Sequence, residues 1–131
     1  NNMKKILLAT LASITLLSAS SMKEIIAELK PIIGMQVDKM TSVRNIYSDP
    51  DFDKVLVFSY TSDLSSAGLT VENYPQVAKA MGKINKNQWC NSKSFDFVKD
   101  IGASLKLKYF DLNDILIAEE LYSEKITNCN K

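Results

Sequence analysis

The sequence predicts an α+β domain, built on an antiparallel sheet of about four strands in two hairpins with helices packed on one face, in the order α-β-β-α-α-β-β. Three observations predict it. Two pairs of strand-like segments flank turn signals at residues 48–51 and 111–114. The stretch between the pairs has helical spacing. No run of strands alternating with crossover helices argues for an all-parallel sheet.

The first element is a short helix over Lys23 to Leu29, whose apolar positions Ile25, Ile26 and Leu29 recur at helical spacing before Pro31 opposes continuation. The first hairpin pairs Met40 to Tyr47, with Thr41, Val43, Asn45 and Tyr47 on one side, with Lys54 to Thr61. In the second segment Val55 and Val57 oppose Leu56, Phe58 and Tyr60, so both faces are apolar and a central strand is expected. Ser48, Asp49, Pro50 and Asp51 form the turn between them.

Residues 62–73 are polar and contain Gly68, which suits an exposed connection. Pro75 suits the first turn of a helix carrying Val77, Ala78, Ala80, Met81 and Ile84 inward and Lys79, Lys83 and Lys86 outward. A second helix is expected from Asn91 or Ser92 as N-cap, burying Phe95, Phe97 and Val98 and ending at Gly102. This places Cys90 at the joint of the two helices.

The second hairpin begins with Leu105, Leu107 and Tyr109 on one face and Lys106, Lys108 and Phe110 on the other. After the turn at Asp111 to Asp114, Ile115, Ile117 and Leu121 oppose Leu116, Ala118 and Tyr122.

Ahead of these elements, Lys4 and Lys5 precede the uncharged run Ile6 to Leu17 and the small residues Ser18 to Ser21. That three-part order predicts a secretory signal peptide, cut near Ser20. The apolar run is shorter than the about 20 residues needed to span a bilayer. A continuous uncleaved helix from Lys4 to Leu29 is the alternative. Residues 1–20, including Asn1 and Asn2 before the first methionine, are therefore set apart from a single domain over 21–131. Removing Lys4 and Lys5 leaves 14 of the 16 basic residues against 15 acidic ones, a net charge of −1 in place of +1. That balance gives no attraction to nucleic acid. No stable membrane anchor is expected after cleavage, and the chain is expected to be periplasmic or secreted.

In an oxidising compartment, an even pair such as Cys90 and Cys129 predicts a disulfide. Two buried thiols are the alternative. A metal site is disfavoured because two thiolates without histidine do not complete a zinc shell.

The absence of histidine removes Ser-His and Cys-His nucleophile pairs and histidine general bases. The four glycines are isolated, so there is no phosphate-binding loop. Asp49, Asp51 and Asp53 begin like a calcium loop, but Lys54 and Tyr60 stand where it needs glycine and glutamate. Asp111, Asn113 and Asp114 fail in the same way at Tyr122. Both groups read as turns. Asp96 and Asp100 could pair on one helix as acid and base, although like charges at that spacing more often mark an exposed face. Glu119 and Glu120 are adjacent on a strand and point to opposite faces. No catalytic residue, cofactor or metal is assigned.

The aromatics favour binding. Phe58, Tyr60, Trp89, Tyr109 and Phe110 are candidate partner-surface residues, because both strand pairs carry more apolar groups than a sheet covered on one side needs. The alternative is that they pack in the core.

The segment from Cys90 through Gly102, Leu105, Leu107, Tyr109, Asp111 and Ile117 to Cys129 resembles the end of small exported bacterial proteins of uncharacterised function, in which a cysteine pair brackets a helix and a final hairpin. Met35, Gln36, Val37, Asp38, Met40 and Thr41 through Tyr60 are similar to the first strand pair of those proteins. Asn113 and Asp114 stand here in place of a glycine at the final turn. The resemblance implies export, a disulfide and an α+β fold, with no activity. The expected function is thus a non-catalytic exported module binding a protein partner in or outside the envelope, such as an inhibitor, an immunity-type protein or an envelope-assembly accessory. A small carboxylate-dependent hydrolase and a lipid or small-ligand carrier are the alternatives.

Overall fold

A computed structural model describes residues 21–130. The expected signal peptide at 1–20 lies outside the described residues. Helix α1 (Met22–Leu29) opens with Ser21, whose hydroxyl accepts the Glu24 N–H as N-cap. Its spacing buries Ile25 and Leu29, and Pro31 lies in the short 3₁₀ turn Lys30–Ile32 that follows. Strands β1 (Thr41–Ser48) and β2 (Val55–Ser62) form the first hairpin. Helix α2 (Tyr74–Asn91) and the single turn α3 (Asp96–Lys99) follow, then β3 (Ser104–Phe110) and β4 (Leu116–Tyr122) as the second hairpin.

The α+β class and the two antiparallel hairpins match the sequence. The junction between them differs. Strand order is β1-β2-β3-β4, and β2 pairs with β3 in parallel, from Val55 opposite Ser104 to Thr61 opposite Phe110. A parallel pair needs a long crossover, and α2 with α3 supplies it. Each hairpin is local, whereas the direction in which the two meet depends on how that crossover packs.

The helices cover one sheet face. Leu56, Phe58 and Tyr60 of β2 and Leu105, Leu107 and Tyr109 of β3 form a continuous core with Ile25, Leu29, Val77, Met81 and Trp89. Tyr60 and Tyr109 are register partners and stack with centroids 4.9 Å apart. Trp89 packs between Phe95 and Tyr122, at 6.0 and 6.1 Å.

Cys90 and Cys129 form the expected disulfide. Cys90 lies in the last turn of α2 and not at a joint between two long helices. The reason is Ser92, whose N–H and hydroxyl both donate to the Gln88 carbonyl and close α2. The Ser92 hydroxyl also accepts the Ser94 N–H, and the next helix begins only after Phe95, as the short Asp96–Lys99.

Two bulges change which residues share a face. β1 shifts register between Val43 and Asn45, leaving Arg44 as the extra residue. Val43 and Ile46 are therefore both buried, and the expected face of Thr41, Val43, Asn45 and Tyr47 breaks at its midpoint. In β4, Tyr109 opposes Ala118 while Phe110 opposes Leu116, so Ile117 is extra. Leu116 is thereby turned away from the face of Ala118 and Tyr122, with which the alternation had grouped it.

Candidate interaction surface

Beyond the Val55–Ser104 pair, the sheet face opposite the helices is built from three cross-strand rows. Tyr47, Val57, Lys106 and Leu121 form one, and Asn45, Ser59, Lys108 and Glu119 the next. Ser42, Thr61, Phe110 and Leu116 form the third, where the Arg44 bulge aims its side chain. Val57 and Ser59 are nonetheless buried. The long cationic side chains beside them lay apolar stems on the sheet and keep their charges at its surface.

Each cation has an acidic partner. Lys106 Nζ lies 2.7 Å from Asp49 Oδ2, and Lys108 Nζ lies 3.7 Å from Glu119 Oε1. Arg44 pairs with Asp114 while its Nε donates to Thr61 Oγ1 at 2.9 Å. The Lys106 hydrogen bond is the main cause that lowers the Asp49 carboxyl below its ordinary value, and the same bond raises Lys106. The Arg44 guanidinium lies 4.5 Å from the Phe110 ring centroid, with Lys108 5.6 Å from it. Phe110 is thus an aromatic platform between two cations. Leu116 stands opposite it on β4 and Leu121 lies beyond the Lys108–Glu119 row, each 45% exposed, with Ile115 and Leu112 exposed at the hairpin end.

Of the five aromatics expected at a partner surface, only Phe110 is on this face. Phe58, Tyr60, Trp89 and Tyr109 are 3% exposed or less and pack under the helices. That expectation is corrected for these four. Phe58, Tyr60 and Tyr109 alternate in phase with Leu56 and Leu107, and that phase is the one the helices cover.

The acidic candidates have structural engagements. Asp49 also accepts the Asp51 N–H within the first turn. Asp111 Oδ1 accepts the N–H groups of Asn113 and Ile115, and its Oδ2 accepts the Tyr74 hydroxyl at 2.7 Å. Burial raises the Asp111 carboxyl, but the Tyr74 and backbone donors, aided by Arg44, outweigh it and leave the group below its ordinary value. The same hydrogen bond is the main cause that pushes the Tyr74 hydroxyl up to about 12. Asp96 and Asp100 are joined by a backbone hydrogen bond in α3.

A buried polar cluster on the helix side escaped sequence reasoning. Asn85 Nδ2 donates to Glu120 Oε1 at 2.7 Å and to the Tyr109 hydroxyl at 3.2 Å. The Tyr122 hydroxyl also reaches Glu120 Oε1, at 2.8 Å, while Glu120 Oε2 is buried without a hydrogen-bond partner among the described residues. Burial raises the Glu120 carboxyl, and hydrogen bonds from Asn85 and Tyr122 only partly oppose it. The signal was present in the ladder Val77, Met81, Asn85 and Trp89, which places a polar residue inside a buried four-residue spacing. Glu119 and Glu120 do point to opposite faces.

No protein-family model and no curated protein sequence matches the chain. Two solved structures share the fold. A protein from Pseudomonas aeruginosa described as secreted is 12% identical, with a TM-score of 0.59, covering 81% of this chain and 88% of its own. The Vibrio vulnificus type 2 secretion system pilotin EpsS is 13% identical, with a TM-score of 0.60, covering 98% of each chain. Among the described residues no helix is long and apolar enough to cross a membrane.

Proposed function

We propose that this chain is a non-catalytic exported module that binds a protein partner and serves as an accessory of an envelope assembly, a role of the kind a pilotin has. The observation that carries this reading is the uncovered sheet face. Phe110 lies there between Arg44 and Lys108, opposite exposed Leu116, with exposed Leu121 beyond the Lys108–Glu119 row. An aromatic and an arginine set among aliphatic side chains are the residue types that carry binding energy at protein interfaces. The disulfide supports an oxidising location, periplasmic or secreted. The shared fold with a secreted protein and with a pilotin supports the same location and role. Of the acidic residues of the hydrolase alternative, Asp111 is engaged by Tyr74 and by two turn N–H groups, which favours binding over catalysis.

The test is affinity capture from the protein's own cell envelope with the disulfide intact, comparing the wild type with Phe110→Asp and Leu116→Asp. Both substitutions lie on the open face and leave the helix-side core untouched. A stoichiometric partner held by the wild type and lost from both folded variants is the expected result. Equal recovery by all three would overturn the assignment of this face.

A further inference from the structure

The sheet has two outer strands, and their edges are treated differently. Val43 of β1 exchanges hydrogen bonds with the preceding loop, its N–H donating to Met35 O and its carbonyl accepting from Gly34 N. Val37 N–H donates to Thr41 O, and the Ile46 N–H is taken by the Asn45 side chain. With its bulge at Arg44 as well, β1 is largely closed to another strand.

Among the described residues β4 has no such backbone cover. Beyond its pairing with β3, no backbone group from Leu116 to Tyr122 makes a hydrogen bond among the described residues. Past the bulge at Ile117, the register runs regularly from Ala118 to Tyr122. The strand contains neither lysine nor proline, and its charges are Glu119 on the open face and Glu120 on the helix side. Its alternate side chains Glu119 and Leu121 lie at the rim of the open face.

We propose that β4 is a docking strand that takes an extended segment of the partner as a fifth strand, with a basic side chain of that segment opposite Glu119. This rests on the reading of the chain as a binding module and specifies its mode. Backbone pairing would supply the affinity, and side chains on alternate positions the choice of partner. Charge selects the occupant. The fully overlapped antiparallel pairing of two β4 strands sets Glu119 against Glu119, which opposes a second copy of this chain. A lysine or arginine at that position forms a favourable cross-strand pair. The exposed carboxylate of Glu119, held only at 3.7 Å by Lys108, is available to share.

The probe is the synthetic peptide Val-Lys-Val-Lys-Val-Lys-Val, capped at both ends and titrated into the full chain under oxidising conditions. Amide hydrogen exchange and chemical shifts are followed residue by residue. The expected result is protection of amides within Ala118–Tyr122, with affinity reduced about tenfold or more by Glu119→Lys. Replacing each peptide lysine by glutamate, or methylating every peptide amide, is expected to abolish binding. The proposal is overturned if the methylated peptide binds equally, if shifts map to Phe110 and Arg44 without β4 protection, or if the lysine peptide does not bind. Self-association of the wild type through β4 would overturn the assigned occupant. A native partner lost from Phe110→Asp but held equally by Glu119→Lys would sustain the module reading while removing strand addition.

Discussion

Asn85 Nδ2 lies 2.7 Å from Glu120 Oε1 and ties the middle of α2 to the outer strand β4. Because burial raises the Glu120 carboxyl, the folded chain binds that proton more tightly than the unfolded chain. The associated stability is fully present below the ordinary carboxylate value and is lost as pH rises through the folded one. Glu120→Gln is expected to remove this slope and to raise stability at neutral pH by about 1 kcal/mol. Urea midpoints across the acid-to-neutral range measure it, and a slope unchanged from the wild type would refute the assignment.

Asp111 has the opposite sign. Its carboxyl is lowered in the folded chain, so its contribution is present above the ordinary value and fades as pH falls through the folded one. Asp111→Ala removes the acceptor for the Tyr74 hydroxyl and for two turn N–H groups, at a cost of about 2 kcal/mol. Asp111→Asn should lose less, since one acceptor oxygen remains. Thermal unfolding of the two variants at neutral pH compares them.

The disulfide closes a loop with a sequence separation of 39 and joins the chain beyond β4 to the last turn of α2. Replacing both cysteines by serine is expected to cost up to about 4 kcal/mol on the chain-entropy model. If denaturant midpoints of the variant equal those of the oxidised wild type, the bridge is not a stabilising element.

Lys54 has φ of 54°, in the left-handed region, at the end of the β1–β2 turn. Glycine occupies that region without the Cβ contact that strains lysine. Lys54→Gly is therefore expected to stabilise the chain by about 1 kcal/mol, read as an upward shift in melting temperature. A downward shift would show that this lysine contributes more than its backbone strain costs. Asp114, with φ of 62°, meets the same requirement at the final turn, where the expected glycine is missing. Aspartate tolerates that conformation better than most residues.

Much of the fold was legible because its signals are local. The alternation of Leu105, Leu107 and Tyr109 against Lys106, Lys108 and Phe110 survives intact as the burial pattern of β3. Both hairpins follow from turn residues beside such segments, and Pro75 sits in the first turn of α2. Of the candidate surface, only Phe110 was legible, because its neighbours Lys106 and Lys108 mark a wet face. Tyr60 and Tyr109 carry the same residue type as an interface aromatic, and nothing in their own strands says that a helix lies over them.

The sequence by itself determined the α+β class, the two hairpins and the Cys90–Cys129 bridge, because side-chain period, turn chemistry and cysteine parity are properties of short segments or of composition. Tertiary structure alone decided that β2 and β3 run parallel and that the Arg44 and Ile117 bulges reassign faces. It also decided that Asn85 meets Glu120 and that, among the described residues, β4 and not β1 keeps an open edge. Each of these depends on which distant segment arrives beside a given backbone group. The free energy that selects that neighbour comes from burying the whole helix-side core at once.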